Sequence, residues 1–233
     1  MNASFSATRF LAGLLLIFVG SLTGQADEKT PDRWEKDIVD IERRINQGKS
    51  PKEAVLFVGS SSIRLWNLEE SFPSLKVLNH GFGGSYLSES VHFFDRIVTP
   101  VKPAIIVVYA GDNDIAAGKS PETVHADFLA FVAKMEMQVP ECKKVIYISI
   151  KPSIKRWAMA ETIKKTNSLI QESCEKSDKL EFLDIWTAML DDKAVPNASL
   201  LVEDGLHMNK KGYQIWSEAL LPHLITRKDA TKE

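Results

Sequence analysis

The stretch Val55-Leu56-Phe57-Val58-Gly59-Ser60-Ser61-Ser62-Ile63 decides the fold, because an apolar, β-branched run ends abruptly at a glycine and three serines follow. A short apolar run bounded by glycine is typical of a strand buried on both faces of a sheet. In an open α/β sheet, ligands bind at the carboxyl ends of the strands. A serine just beyond this strand is therefore a candidate nucleophile. It needs a base, an orienting carboxylate and oxyanion donors from elsewhere in the chain.

The rest of the chain alternates between short apolar runs and segments with apolar residues at helical spacing. The runs predict five strands, at residues 52–58, 75–79, 104–109, 144–150 and 180–184. The helical segments lie between them, with one more before the first strand and one after the last. Three of these helices have start signals, at Thr30-Pro31, Ser120-Pro121 and Asn209. This alternation predicts right-handed βαβ units and a three-layer α/β/α fold with a mostly parallel five-stranded sheet.

The first 26 of the 233 residues have the composition of a secretory signal. Arg9 is the one charged residue among them, an apolar core follows it, and small residues precede a predicted cleavage after Ala26. The alternative is an uncleaved membrane anchor, but the apolar run is short for a full span. We therefore expect a secreted or periplasmic protein without a stable membrane span. Its predicted parts are a helix within residues 27–50, a catalytic domain over 51–226 and a charged tail over 227–233.

Charge and cysteine content narrow the function classes further. Without the predicted signal, the chain has 28 basic and 31 acidic residues, which gives a net charge of −3, and it contains no long basic stretch. Nucleic acid is therefore not expected as a partner. Cys142 and Cys174 are the two cysteines. Their placement is equally consistent with a disulfide in an oxidising compartment and with two unpaired core thiols.

Polar and glycine residues at the predicted strand ends supply what a serine nucleophile lacks. Parallel strands all end at one edge of the sheet, so the loops carrying Ser61, Gly84 and Asn113 share that edge. His207 is the candidate base, since imidazole titrates near neutrality, and Asp204 lies three residues earlier, where it can fix the imidazole tautomer. The amides of Ser61 and Gly84 and the side-chain amide of Asn113 are candidate oxyanion donors. Each feature alone is usually a turn or a helix start.

Four blocks of the sequence resemble the SGNH hydrolases, also called the GDSL esterase/lipase family. They are Gly59-Ser60-Ser61-Ser62, Asn79-His80-Gly81-Phe82-Gly83-Gly84, Gly111-Asp112-Asn113-Asp114 and Asp204-Gly205-Leu206-His207. The resemblance implies a flavodoxin-like fold and a serine esterase that needs no metal or organic cofactor. It places the nucleophile at Ser61, and the triad partners at Asp204 and His207. The first block departs from the family pattern, because Ser60 stands where the family has aspartate.

Two other functions remain open from the sequence. One is a metal-dependent hydrolase using carboxylate and imidazole ligands, from Asp112, Asp114, His80 and His207. The other is a non-catalytic secreted binding domain on the same fold. For an esterase, we expect a small-molecule ester substrate with a small acyl group such as acetyl, on a carbohydrate or lipid. Lysophospholipase and thioesterase activities are alternatives within the family. The aromatic and cationic candidates for substrate binding are Arg64, Trp66, Tyr86, Arg156 and Trp157.

Overall fold

The computed structural model describes residues 30–48 and 53–225, and a five-stranded sheet forms its centre. The strands are β1 (Val55–Gly59), β2 (Val77–Gly81), β3 (Ile105–Tyr109), β4 (Lys144–Ile148) and β5 (Leu180–Leu183). They lie in the order β2-β1-β3-β4-β5, and each neighbouring pair is parallel. This is the flavodoxin-like order, so the predicted fold class is confirmed.

Helices cover both faces of the sheet. They are α1 (Glu35–Asn46), α2 (Ser61–Arg64), α3 (Leu68–Ser71), α4 (Leu87–His92), α5 (Phe94–Ile97), α6 (Asp112–Ala116), α7 (Pro121–Gln138), α8 (Ala160–Cys174) and α9 (Lys210–Leu224). Short 3₁₀ turns occupy Pro31–Trp34, Ile154–Met159, Thr187–Met189 and Ala198–Leu200. Within the described ranges, no helix is long and apolar enough to cross a membrane.

The sheet separates two apolar cores, and the alternation of side chains along each strand supplies both. In β1, Leu56 and Val58 join the core under α1, α4, α5, α7 and α8. Val55 and Phe57 face the opposite core, under α3 and α9. All four side chains are almost completely buried. Burial on both faces explains why this strand is a continuous apolar run rather than an alternating one.

Several element boundaries differ from the predicted ones. Strand β2 continues to Gly81, although residues 80–84 were expected to form a loop, because Gly81 still pairs with Gly59 of the central strand. The helix predicted around residues 91–97 is divided at Phe93 into α4 and α5. Two of the three predicted caps form: the side chains of Ser120 and Asn209 accept backbone N–H groups of the helices they precede.

Other predictions concern the ends of the chain and the cysteines. The signal segment, its cleavage after Ala26 and the tail over residues 227–233 lie outside the described residues, as does part of the predicted 27–50 segment. The start signal at Thr30-Pro31 leads into the 3₁₀ turn, and the Thr30 side chain makes no capping hydrogen bond. Cys142 and Cys174 are buried and unpaired, so no disulfide links them.

Candidate active site

The site lies where the strand order reverses, between β1 and its two neighbours. The register places Gly59, at the end of β1, beside Gly81 of β2 and Tyr109 of β3. The three loops that follow these strands therefore begin side by side. In doubly wound sheets, this reversal of the strand order opens a crevice at the carboxyl ends of the strands.

Glycine is required at position 59, at the turn that leads from β1 to Ser61. Its φ is +141°, and a Cβ at this position would lie 1.9 Å from the Tyr109 carbonyl oxygen. The next residue, Ser60, donates its backbone N–H to that same oxygen at 3.0 Å. This close approach of two backbones sets the direction of the chain, and Ser61 follows as the first residue of α2.

Ser61, His207 and Asp204 form a continuous chain of hydrogen bonds. Ser61 Oγ lies 2.9 Å from His207 Nε2, and His207 Nδ1 lies 2.5 Å from Asp204 Oδ2. The neighbouring hydroxyls do not compete, because Ser60 and Ser62 are buried and neither has a hydrogen bond to His207 among the described residues. The family resemblance placed the nucleophile at Ser61 among three adjacent serines, and Ser61 is the one whose hydroxyl contacts His207.

The loop that carries Asp204 and His207 is held by hydrogen bonds to its own backbone. Asp204 Oδ1 accepts the N–H groups of Leu206 at 2.8 Å and of His207 at 2.9 Å. Val202 donates its N–H to the His207 carbonyl at 2.9 Å and closes the loop. Partial burial alone would raise the pKa of Asp204. Hydrogen bonds from the His207 ring and from these two amides outweigh this effect and hold the pKa of Asp204 well below its usual range. The carboxylate therefore remains ionised beside the imidazole.

Two of the three candidate oxyanion donors come from the loops after β2 and β3, and the third, the Ser61 amide, lies at the start of α2. Gly84 has φ +76°, and within the described part of the chain its N–H donates to no protein acceptor. Asn113 Nδ2 donates to the Ser85 carbonyl at 3.2 Å, which joins the two loops next to Gly84. Asn113 Oδ1 accepts from Arg156 Nη2 at 3.3 Å. The structure thus brings Asn113 beside the Gly84 loop, with donor hydrogens on both residues.

An ion pair that was not predicted from the sequence lies directly beside Asn113. Asp114 is fully buried and accepts the Leu87 N–H at the start of α4, with Lys119 Nζ at 2.9 Å from its Oδ1. Burial raises the pKa of Asp114 to about 6, against the opposing effect of Lys119. The lysine also reaches Ser88, so the pair ties α6 to α4. An acidic residue directly after Asn113 with a lysine five positions later was the available signal.

A second contribution that the sequence analysis missed comes from the residues before α1. Arg33 makes two 2.9 Å hydrogen bonds to Glu89, a carboxylate only 3% exposed. The Trp34 ring lies 3.5 Å from the position that a Cβ on Gly84 would take. The indole therefore borders the candidate oxyanion loop. Sequence patterns give no indication of this contact, since the paired residues are 56 positions apart.

The five candidate substrate-binding residues have different surroundings. Trp66 does not belong to the set: it is 3% exposed and packs against Phe57 in the core. Its aromatic character serves packing, which the pattern did not distinguish from ligand binding. Tyr86 lies between the Arg33 guanidinium, at 4.8 Å, and the Lys119 ammonium, at 4.6 Å. The three others are exposed Arg64, half-buried Arg156 beside Asn113, and half-buried Trp157, which stacks on Trp186.

The residues that a metal site would need are not brought together. His80 is buried, and its Nδ1 lies 2.7 Å from the Ile97 carbonyl oxygen. Burial lowers the pKa of His80 to about 4. Asp114 is engaged by Lys119, and His207 by Ser61 and Asp204. Over residues 30–48 and 53–225, no three His, Cys, Asp or Glu side chains form a group able to hold a metal ion. The arrangement does not support the metal-dependent alternative.

A serine, a histidine and an aspartate in hydrogen-bond contact at the switch point of a parallel sheet are the arrangement of a serine hydrolase. The model of the GDSL-like lipase/acylhydrolase family matches residues 65–215. The chain belongs to this family, and the resemblance seen in the four sequence blocks is confirmed. The match includes Gly84, Asn113, Asp204 and His207, and it begins four residues after Ser61.

Individual relatives agree with the family. The rice protein GDSL esterase/lipase WDL1 (Oryza sativa subsp. japonica) is 28% identical over 172 residues, which are 62% of this chain and 64% of that protein. The chain thus spans slightly less than two thirds of this relative's length. A GDSL-like lipase from Bacteroides thetaiotaomicron superposes with a TM-score of 0.66 at 19% identity, covering 83% of this chain and 99% of the other. The structure of a mutant of Axe2, an acetyl-xylooligosaccharide esterase from Geobacillus, superposes with a TM-score of 0.63 at 17% identity. The superposition covers 76% of this chain and 96% of the other. At these identities, the two structures show a shared fold.

Proposed function

We propose that this protein is a serine esterase that hydrolyses carboxylic esters through an acyl-enzyme on Ser61. The observation that carries the proposal is the hydrogen-bonded chain from Ser61 Oγ through His207 to Asp204, at 2.9 and 2.5 Å. In a Ser–His–Asp triad, the imidazole accepts the serine proton as the oxygen attacks the ester carbonyl. Asp204 keeps the proton of His207 on Nδ1, so that Nε2 is the basic nitrogen.

The tetrahedral oxyanion forms next to the three proposed donors, the amides of Ser61 and Gly84 and the Nδ2 of Asn113. Protonated His207 then gives its proton to the leaving alcohol, and the acyl group stays on Ser61. Water enters, His207 removes its proton, and a second tetrahedral intermediate collapses to the acid and free Ser61. Asp204 remains ionised throughout, because its pKa lies well below the usual range. A non-catalytic binding domain would have no need of this charge arrangement.

Small acyl groups such as acetyl, carried on a carbohydrate or a lipid, are the proposed substrates. Two observations support this choice. The Trp34 indole borders the Gly84 loop, 3.5 Å from the position of a Cβ on Gly84, which is the side on which the proposed oxyanion would lie. In addition, an acetyl-xylooligosaccharide esterase shares the fold. Tyr86, Arg64 and Trp157 are the proposed contacts for the alcohol portion of the ester, since aromatic and cationic side chains suit both sugars and polar head groups.

The protein is proposed to act outside the cytoplasm, in the periplasm or the medium, after cleavage following Ala26. The support is the charge and apolar pattern of residues 1–26. N-terminal sequencing of the mature protein from the culture medium or the periplasm tests this part independently of activity. A mature chain that still begins at Met1 would contradict it.

The catalytic proposal is tested with Ser61→Ala and its neighbour Ser60→Ala as a matched control. Ser60 Oγ is buried and has no hydrogen-bond partner within the described residues, so its loss leaves the triad contacts intact. We expect hydrolysis of p-nitrophenyl acetate and labelling by a fluorophosphonate probe in the wild type and in Ser60→Ala. Neither is expected in Ser61→Ala. Turnover by Ser61→Ala above the uncatalysed blank would refute the assignment. A series of p-nitrophenyl esters from acetate to octanoate tests the preference for small acyl groups, since rates rising with chain length would contradict it.

A further inference from the structure

The turn after β4 connects two parts of the site that are far apart in the sequence. This 3₁₀ turn, Ile154–Met159, is fixed to the triad loop because Lys155 donates its N–H to the Gly205 carbonyl at 3.0 Å. On its other side, Arg156 Nη2 donates to Asn113 Oδ1 at 3.3 Å. The backbone of Arg156 is itself held by a 3.2 Å hydrogen bond to the Ser153 carbonyl. Arg156 thus reaches the proposed oxyanion amide from a turn that is anchored to the triad loop.

We infer that Arg156 is a positioning residue that fixes the orientation of the Asn113 side-chain amide, so that its NH₂ group is the one presented to the oxyanion. The inference rests on the proposed esterase function and deepens it. A carboxamide can turn by 180°, and only one orientation donates a hydrogen bond to developing negative charge. A guanidinium has donors and no acceptor, so the group facing Arg156 must be the amide oxygen.

The two contacts of the amide require the same orientation. Asn113 Nδ2 donates to the Ser85 carbonyl at 3.2 Å, while Oδ1 accepts from Arg156. After a 180° turn, the NH₂ would face a guanidinium donor and the oxygen would face a carbonyl oxygen. Both contacts would then be repulsive. The contact to Ser85 uses one Nδ2 hydrogen, and the second remains free to donate to the oxyanion.

A direct contact between Arg156 and the bound ester is the alternative role, and the two roles predict different kinetics. The Nε of Arg156 is buried and has no hydrogen-bond partner in the described part of the chain. A direct contact from this N–H to the bound ester would raise KM when the arginine is replaced. Positioning of Asn113 instead affects the transition state, where the oxyanion exists, and therefore lowers kcat.

The test compares Arg156→Met, which removes every donor, with Arg156→Lys, which keeps a charged donor. Lys155→Gln is the matched control, because it removes a positive charge from an exposed side chain on the same turn. With p-nitrophenyl acetate, we expect Arg156→Met to lower kcat about tenfold, as for loss of one hydrogen bond to a charged group, with little change in KM. Arg156→Lys should regain part of the loss, and Lys155→Gln should match the wild type.

A double-variant cycle with Asn113→Ala gives the decisive readout. Asn113→Ala alone should lower kcat about 10²- to 10³-fold, as expected for loss of an oxyanion donor. In that background, Arg156→Met should have little further effect, because no amide remains to be oriented. The same tenfold loss in both backgrounds, or a rise in KM at constant kcat, would overturn the inference.

Two controls distinguish a failure of the inference from misfolding of a variant and from a failure of the proposed function. Thermal unfolding of each variant shows whether it is folded, and Arg156→Lys carries the test if Arg156→Met is not. Wild-type turnover that does not depend on Ser61 would contradict the proposed function, and the role of Arg156 would fall with it. Ser61-dependent turnover that is unchanged in both Arg156 variants would contradict the inference about Arg156 alone.

Discussion

Replacement of Asp204 by asparagine exchanges one carboxylate oxygen of the proposed triad for an NH₂ group and keeps the hydrogen bonds that shape the loop. Asp204 Oδ1 accepts the N–H groups of Leu206 and His207, and the oxygen of an asparagine side chain can accept both. The new NH₂ group would then take the place of Oδ2, 2.5 Å from His207 Nδ1. Two donors cannot face each other at this distance, so the imidazole must lose the proton on Nδ1 and carry it on Nε2. Nε2 would then donate to Ser61 Oγ and could not act as a base.

The expected size of the effect follows from this reversal. Loss of the correct histidine tautomer lowers kcat about 10⁴-fold in a triad of this kind, which corresponds to about 5.5 kcal/mol of barrier at 1.36 kcal/mol per factor of ten. The assay is p-nitrophenyl acetate hydrolysis, together with the rate of fluorophosphonate labelling. Both depend on attack by Ser61, so both should fall together. Stability toward urea should fall modestly, because the two backbone hydrogen bonds to the loop are retained but no longer end on a charged acceptor.

Asp191→Asn is the matched control for this variant. Asp191 Oδ1 also accepts two backbone N–H groups, from Lys193 at 2.9 Å and Val195 at 3.2 Å, in a different loop and without a histidine partner. The same chemical change there should leave kcat unchanged. If Asp204→Asn is folded and retains more than about a tenth of the wild-type kcat, Asp204 does not control the His207 tautomer, and the proposed mechanism is wrong.

Two further predictions concern residues that support the site. Because burial lowers the pKa of His80 from 6.5 to about 4, the folded state resists its protonation, and stability should fall as the pH drops from 6.5 toward 4. At pH 5, protonation of His80 in the unfolded state lowers the free energy of unfolding by about 2 kcal/mol relative to pH 7, and His80→Gln should remove this loss. Urea unfolding of both proteins at pH 5 and pH 7 measures the difference. Equal pH dependence in the two proteins would refute the linkage. Gly59→Ala should lower the free energy of unfolding by more than about 3 kcal/mol, because its Cβ would lie 1.9 Å from the Tyr109 carbonyl oxygen. Gly118→Ala is the control, since Gly118 also has positive φ but no atom lies within 4 Å of the added Cβ. Only the backbone strain of about 1–2 kcal/mol is expected there. An equal loss of stability in both variants would contradict the steric argument.

The fold was predictable from the sequence because its strongest signals are local. The apolar run that ends at Gly59 becomes a strand with every residue buried, and the caps at Ser120 and Asn209 form as their residue types indicate. Parallel strands end at one edge, so five such runs also locate the crevice. The end of β2 was missed, because pairing of Gly81 with its neighbour strand, and not the local composition, extends that strand.

Side-chain roles were less predictable, because they depend on contacts between elements. Trp66 and Tyr86 were both considered candidates for substrate binding, yet one is 3% exposed in a core and the other lies between two cations near the site. Nothing in the residue type distinguishes these outcomes. The resemblance of the first block already placed the nucleophile at Ser61, but its contact with His207, 146 positions further along the chain, is seen only in the structure.

The 3₁₀ turn before α1 shows how far the site depends on parts outside the family match, which starts at residue 65. The buried Glu89 carboxylate needs a cation, and Arg33 supplies it with two hydrogen bonds. The same guanidinium lies 4.8 Å from the rings of both Trp34 and Tyr86, so it holds the turn against the loop after β2. The indole is thereby kept next to Gly84. The side chain beside the proposed oxyanion site is therefore held by an ion pair outside the proposed triad, and for the proposed esterase we expect acyl selectivity to change there while the triad stays the same.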